Sequence, residues 1–380
     1  MRKTFQYRLY PTKQQIRLLD SQLEECRWLY NRFLDERKQA WEERQEGIPL
    51  YDQQAELPAL KVERPSLKVV HSQVAQNVAV RLDLAMQAFF RRVTDGEKPG
   101  YPRFKGKGRY HSLTFPQVPS GCNLMPDHQH VSVSKVGDVK LVYHRVLEGT
   151  PKTATIKRSS TGKWSITFSC EWEPTALPPT NKPVGLDVGL HTFATCSDAS
   201  TIANPRFFRQ EEKALAQAQR KLSKEDRGTP QREKRRKLLA RTHERITWRR
   251  ENFAHQESRK IVNQYDVIAV EDLSINRMVH PHGLAKSIHD AAWGQFAQLI
   301  ACKAAWAGRR YIAVNPAYTS QDCSRCHHRK SDLTLADRIY HCDCCGLEID
   351  RDLNAAFNIL ALGLQCLGWS REAPAFYAGE

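Results

Sequence analysis

Four cysteines near the C-terminus constrain this chain more than any other feature. Cys323 and Cys326 form one CxxC pair, Cys342 and Cys345 a second, and fifteen residues separate the pairs. Four thiolates at this spacing suit one tetrahedral structural zinc ion, each pair forming one knuckle of a ribbon. Directly after it comes GLEIDRDLNAAFNIL, where Asp350 or Asp352 leads into a helix with Leu353, Ala356, Phe357 and Leu360 on its apolar face. A metal-held ribbon is therefore joined to a carboxylate available to a second, different metal. What the chain does depends on whether other segments supply partners for that carboxylate.

A chain of 380 residues has room for two or three domains and a sizeable core. No run approaches the roughly 18 apolar residues of a membrane span, and MRKTFQYRLYP lacks the apolar core of a signal peptide. Of the eleven cysteines, four sit in zinc spacing, while Cys26, Cys170, Cys196 and Cys302 are scattered, a pattern of a reducing cytoplasm rather than a disulfide scaffold. Net charge is +16, with a sequence pI near 9.4. From Arg209 to Lys260 there are 17 Lys/Arg against 8 Asp/Glu. Such a basic stripe is the electrostatic footprint of a phosphate backbone. An anionic membrane is disfavoured, because no strongly apolar face accompanies the charge.

Thr4–Leu9 alternates as a short strand, and Pro11-Thr12 opens a helix with Ile16, Leu19, Leu23, Cys26, Leu29, Tyr30 and Phe33 at helical spacing. A second helix is expected from about Ser66 to Val93. The loop after it, Lys98 to Ser112, interleaves Arg103, Lys105, Lys107 and Arg109 with Tyr101, Phe104 and Tyr110. Its cations suit phosphates and its rings suit base stacking. Short alternating runs from Ser112 to Glu173, separated by turn signals, predict an antiparallel β-domain, a small barrel that the first strand joins. ALPPTNKP (Ala176 to Pro183) is a linker. Beyond it, two short strands hinge at Gly189, a basic helical region broken near Gly228-Thr229-Pro230 reaches about Gln264, and YDVIAVEDL is a buried strand. Ala291–Ala307 reads as a helix and RRYIAVNP as another strand. Strands with helical crossovers imply an α/β domain with a mixed sheet.

Three acids stand out. Asp187 interrupts an apolar strand between Gly185 and Gly189, Glu271 ends the strand VIAVE, and Asp352 or Asp350 begins the last helix. Each alone reads equally well as a turn acid, a solvated strand end or a helix cap. Together, at breaks and ends of apolar elements, they form a self-repelling cluster that divalent cations stabilise, hard oxygens selecting magnesium or manganese. Two such ions about 4 Å apart clamp an in-line displacement at phosphorus. In a basic protein the matching substrate is a phosphodiester, so the residues point to a nuclease or polynucleotidyl transferase of RNase H-like fold.

GLDVGLHTFATCSD, RRENFAHQESRKIVNQYDVIAVEDLSINRM and TSQDCSRC with HCDCCGLEIDRDLNAAFNI resemble the signature blocks of TnpB, the OrfB-type RNA-guided nuclease encoded by insertion sequences and related to type V CRISPR effectors. KTFQYRLYPTKQQIRLLDSQLEECRWLYN and PRFKGKGRYHSLTFP resemble its N-terminal blocks, so the likeness runs to about residue 363. It implies a multidomain α+β protein. Residues 1–10 and 110–178 would form a wedge-like β-barrel, with 11–109 a helical recognition insertion. Residues 179–316 and 347–363 would form the RuvC-like α/β nuclease domain, 317–346 the inserted zinc ribbon and 364–380 a tail. By motif position the resemblance makes Asp187, Glu271 and Asp352 the catalytic and magnesium-binding triad, with Asp350 the alternative to Asp352. It implies two Mg²⁺ or Mn²⁺ per site, one structural Zn²⁺, a guide RNA from the transposon end and a double-stranded DNA target beside a short flanking motif. Base pairing would then supply sequence specificity. Arg249 and Arg250 join Arg103, Lys105, Lys107 and Arg109 as expected nucleic-acid contacts, in a cytoplasmic protein favoured as a monomer.

Two departures concern the ribbon. His327 stands where a first knuckle commonly has Gly, and Cys344 adds a fifth thiol, so both are alternates to the four cysteine ligands. His280, His282 and His289 are expected in loops or on the RNA surface. A strand-joining transposase and a cleavage-deficient guided repressor are the alternative functions; the first lacks a recognisable hydroxyl nucleophile constellation, and the second would be expected to lack an acid of the triad.

Overall fold

Alternating residues place Phe5, Tyr7 and Leu9 on one buried side of strand β1 (Arg2–Tyr10) in the computed structural model, which describes residues 1–279, 284–334 and 336–368. The chain divides into two units, Met1–Glu173 and Pro174–Glu380. In the first, β1 is followed by α1 (Lys13–Arg44), α2 (Leu50–Ala55), α3 (Leu57–Glu63) and α4 (Ser72–Thr94) before the chain returns to strands. These are β2 (Ser112–Phe115), β3 (Cys122–Leu124), β4 (His130–Val133), β5 (Gly137–Val142), β6 (Thr150–Arg158) and β7 (Trp164–Glu171). They make one antiparallel, barrel-like sheet of order β2-β6-β7-β1-β5-β4-β3, so the helices are threaded between two strands of one sheet.

α1 begins at a capping box: the Thr12 hydroxyl accepts from the Gln15 amide while the Gln15 side chain accepts from the Thr12 amide, 2.9 Å away. Its buried face is Leu19, Leu23, Cys26, Leu29, Tyr30 and Phe33, as the spacing predicts. Two polar residues on that helix do cross-linking work. Glu25 accepts a two-pronged ion pair from Arg64 (2.7 and 3.0 Å), and Arg37 donates to Gln53 (2.8 Å) and Asp83 (3.1 Å). The second long helix is shorter than expected. Pro65–Val69 is a 3₁₀ turn, Val70 and His71 are extended, and α4 starts only at Ser72. Leu67 of the turn and the extended Val70 both reach the core.

The second unit opens with a meander, β8 (Pro183–Val188), β9 (Thr192–Cys196) and β10 (Thr201–Ala203). A basic helical hairpin follows, α5 (Phe207–Ser223) and α6 (Pro230–Gln264), and then β11 (Val267–Glu271). Next come α7 (Ile275–Met278), α8 (Ala285–Ala291), α9 (Trp293–Ala307) and β12 (Arg310–Val314). A two-stranded ribbon, β13 (Ile339–His341) and β14 (Glu348–Asp350), precedes α10 (Arg351–Cys366). The sheet order is β10-β9-β8-β11-β12, with β8, β11 and β12 parallel and β9 and β10 antiparallel.

The central parallel strands β8 and β11 are buried on both faces, which is why they read as apolar runs, whereas the edge strand β12, expected from its sequence to be buried, is half-exposed. Val184, Leu186, Ile268 and Val270 share a core with Phe296 and Ile300 of α9 and Ile261 and Val262 of α6. Val267 and Ala269 face the other way, against Leu360, Leu364 and Ile359 of α10. α10 lies close enough to the sheet that two glycines are required. A Cβ at Gly185 would stand 2.1 Å from the Ala356 carbonyl oxygen, and one at Gly363 would stand 2.5 Å from the Ala269 Cβ. Gly185→Ala is therefore expected to destabilise this unit by about 1–3 kcal/mol or more, because backbone must move; a melting scan showing an unchanged Tm would contradict the close approach. The helix also runs past the expected boundary at residue 363: Leu364 is buried and α10 ends at Cys366. Residues 369–380 lie outside the described residues.

Candidate active site and metal centre

Strand parity assembles the acids. Asp187 follows Leu186 by one residue and Glu271 follows Val270 by one, so both side chains fall on the α10 face of the sheet. Leu186 pairs with Val270 in the parallel ladder, which sets Asp187 and Glu271 in neighbouring register at the ends of adjacent strands. The first turn of α10 brings Asp352. Its Oδ2 lies 3.8 Å from where a Cβ at Gly189 would be, at the bend that follows β8. Asp272 has the opposite parity and, with Glu271, Val270, Trp293 and Phe296, lines a cavity of about 230 Å³.

In this partly buried notch the neighbouring carboxylates act most on Asp187. Burial, then the charges of Glu271 and Asp352, hold the Asp187 carboxyl well above the usual carboxylate range, with Arg351 and the Val188 backbone pulling the other way. Burial also raises Glu271, opposed by the Thr319 hydroxyl, which donates to Glu271 Oε1 at 2.6 Å. Arg351 Nη2 stands 3.4 Å from Asp352 Oδ1. A cluster that disfavours its own charge, built only of hard oxygens, fits divalent cations. Asp350 is differently employed. As the N-cap of α10, its Oδ1 accepts from the amides of Asp352 and Leu353 at 2.9 and 3.0 Å.

The four ribbon cysteines converge. Their Sγ atoms all lie within 4.8 Å of one another, with Cys323–Cys345 at 3.6 Å and Cys326–Cys342 at 3.5 Å. A tetrahedral zinc with Zn–S of about 2.3 Å has edges of about 3.8 Å, so the thiol set fits that ion. The knuckles share one backbone pattern: His327 N–H donates to the Cys323 carbonyl and Gly346 N–H to the Cys342 carbonyl, each at 2.9 Å. His327 has φ +61° and Gly346 φ +69°, so the histidine occupies the left-handed position that its counterpart fills with glycine. Cys344 is exposed and outside the thiol cluster.

The expected nucleic-acid contacts fare unequally. Arg103, Lys107 and Arg109 are exposed on a loop without regular structure. Lys105 is partly engaged: its amide donates to Asn31 (2.7 Å), its carbonyl accepts from Asn31 and Arg27, and its ammonium sits 5.2 Å from the Tyr30 ring. Tyr110 does not present its ring to solvent; it is buried and its hydroxyl accepts from Arg81, while Tyr101 and Phe104 are exposed. In α6, Arg250 donates to the His289 carbonyl and Arg249 pairs with Glu211 of α5, so both also brace the helices. His280 and His282 lie outside the described residues.

Sequence reading passed over Thr319, Asn354 and Asn358. Both asparagines are buried on α10 and donate side-chain N–H groups to the segment leading into Cys323. The available signal was two amides four residues apart on an otherwise apolar helix face.

Family models described as "Helix-turn-helix domain", "Probable transposase" and "Cas12f1-like, TNB domain" match residues 1–46, 167–281 and 293–359. The first span folds here as β1 and the single helix α1. A protein of Streptomyces pristinaespiralis named "Putative RNA-guided DNA endonuclease" is 32% identical over 369 residues, covering 96% of this chain and 90% of its own. One of Escherichia coli K12, "Putative RNA-guided DNA endonuclease InsQ", is 29% identical over 379 residues, covering 95% and 92%. Among solved structures, that of the mini-RNA-guided endonuclease CRISPR-Cas_phi3 aligns with TM-score 0.52 at 9% identity, covering 98% of this chain and 94% of that one, a likeness of fold.

Proposed function

The chain belongs to the TnpB-like family of RNA-guided DNA endonucleases, and from that premise we propose that it cuts guide-matched double-stranded DNA with Asp187, Glu271 and Asp352. The observation that supports this most is the common orientation of those acids: neighbouring register on one sheet face, opposite the first turn of α10. In this reading the five-stranded sheet is the RNase H-like (RuvC) core and residues 317–346 are the inserted ribbon. The barrel-like sheet of the first unit is the wedge, and residues 11–109 are the recognition insertion.

Hydrolysis asks three things of the protein. The acids must bind divalent metal, and Asp187, Glu271 and Asp352 are the three that face one another; Asp350 is retained as the cap. When bound, two magnesium or manganese ions supply Lewis acidity to the attacking and leaving oxygens of the phosphodiester. The polyanion must be held, for which the exposed Arg103, Lys107 and Arg109 and the basic α5–α6 hairpin are suited. The sequence must be read, and in this reading base pairing with a guide RNA does so, as the names of the relatives imply. Cys323, Cys326, Cys342 and Cys345 would hold the structural zinc. No described helix is long and apolar enough to cross a membrane, and the proposed site of action is the bacterial chromosome.

The test is to purify the protein from its own host locus, sequence the RNA that accompanies it, and supply matched duplex DNA with and without Mg²⁺. We expect a discrete transposon-end RNA and cleavage that depends on both RNA match and Mg²⁺. Cutting without any guide, or joined rather than cleaved strands, would overturn the reading in favour of a transposase.

A further inference from the structure

The ribbon and Glu271 are linked by a short, fully bonded path. Thr319 lies between β12 and the first knuckle and is buried, with its hydroxyl 2.6 Å from Glu271 Oε1. That hydroxyl also lies 3.1 Å from the Pro316 carbonyl, so its single proton has a shorter partner in the carboxylate. The Thr319 carbonyl in turn accepts from Asn358 Nδ2 at 2.8 Å. The same nitrogen reaches the Asp322 carbonyl at 2.6 Å, which places both of its hydrogens. Asn354 repeats the device one turn earlier. Its Nδ2 donates to the Asp322 carbonyl at 2.9 Å, and its Oδ1 accepts from the amide of Ser324, inside the first CxxC pair.

The rest of the segment is held from its other side. Asp322 makes a two-pronged ion pair with Arg329 (2.7 and 3.1 Å), whose guanidinium lies 3.6 Å from the centre of the Tyr318 ring. The Tyr340 hydroxyl donates to the Gln321 carbonyl at 3.0 Å. Residues 318–322 therefore have no independent choice of conformation while the knuckle is closed. One helix, α10, delivers Asp352 and, through Asn354 and Asn358, fixes the segment that orients Glu271.

We propose that Thr319 is a positioning residue that couples closure of the cysteine ribbon to the orientation of Glu271, with Asn358 holding Thr319 in place. The inference rests on Glu271 being a metal-binding acid, as proposed above. A hydroxyl that selects one rotamer of a metal-binding carboxylate acts as an outer-shell ligand, and losing such a partner typically costs about 10–100-fold in metal affinity.

The experiment compares full-length Thr319→Val, Thr319→Ser and Glu271→Gln, each with its guide RNA, by titrating Mn²⁺ and reading free Mn²⁺ by electron paramagnetic resonance alongside DNA cleavage. Zinc content and Tm are measured on the same samples. Thr319→Val is expected to weaken Mn²⁺ binding by about 10–100-fold, with one zinc per chain retained and RNA and target binding unchanged. Thr319→Ser should recover most of the loss. Stripping zinc from the wild type should weaken Mn²⁺ binding in the same direction, and by more than Thr319→Val does, because opening the ribbon also loosens α10, which carries Asp352. If Glu271→Gln abolishes Mn²⁺ binding while Thr319→Val binds as the wild type does, the positioning role is wrong and the active-site assignment survives. If Glu271→Gln itself binds Mn²⁺ and cuts normally, the assignment fails, and the coupling with it.

Discussion

Asp187→Asn should abolish DNA cleavage and at the same time make the metal-free protein more heat-stable. The loss follows from the site. Replacing a carboxylate by an amide of the same shape removes one of three charges that would hold the divalent ions, and a loss on the order of 10²–10³-fold or more is expected by analogy with removal of one preorganised electrostatic group. The gain follows from the same geometry. Without metal, burial and the facing Glu271 and Asp352 disfavour the Asp187 anion, so neutralising it relieves repulsion in the fold.

The sign of the pH dependence follows. Folded Asp187 keeps its proton to a pH at which the unfolded chain has already released it, so the folded state binds more protons in that window. Stability of the metal-free wild type therefore falls as pH climbs from the ordinary carboxylate range through the raised one, and the variant should show a shallower fall. Mg²⁺ should raise Tm in the wild type, by about 2.7 kcal/mol of stabilisation at a hundredfold excess over Kd, and do so much less in Asp187→Asn. Guide and target binding should be intact in a gel-shift assay. A variant that cuts at the wild-type rate removes Asp187 from the mechanism; a variant less stable than the metal-free wild type at every pH removes the repulsion argument.

How far the sequence led is best judged residue by residue. The parity of Asp187 and Glu271 was readable, because alternation along two apolar strands assigns faces without knowing the neighbours. Which of Asp350 and Asp352 faces the sheet was not readable, since either is a reasonable helix cap; only the hydrogen bonds from the Asp352 and Leu353 amides to Asp350 distinguish them. The break before α4 escaped because Leu67, Val70 and Val74 also satisfy a helical apolar pattern, and a 3₁₀ turn is a tertiary accommodation. Tyr110 was misjudged by its company: it sits among exposed cations, yet packs with Tyr30 and Arg81. Thr319 was invisible for a different reason. A hydroxyl that bonds a carboxylate 48 residues away has no local signature, since its partner is chosen by topology and not by spacing.

Cys342→Ser should have the larger structural effect, unfolding the ribbon and loosening α10. The ribbon has almost no core of its own: Cys323, Tyr340, Cys342 and Leu347 are its buried cluster, and half of that is ligand. Its two strands are three residues each, too short to be stable unaided. The thiol set must therefore supply the folding energy, for which zinc-finger peptides give apparent values of about 10–16 kcal/mol at neutral pH. A serine cannot replace the thiolate, so zinc should be lost or held weakly and proteases should gain access between residues 317 and 350. Because Asn354 and Asn358 bind that segment, its release leaves their amides buried without partners, costing about 1–3 kcal/mol for each, and the damage should extend into α10. Cys344→Ser is the control: that thiol is exposed and outside the cluster, so zinc content and Tm should match the wild type. Metal analysis, melting curves and limited proteolysis of the two variants decide the matter. Normal zinc and Tm in Cys342→Ser, or loss of both in Cys344→Ser, would mean that a different set of four ligands closes the ribbon.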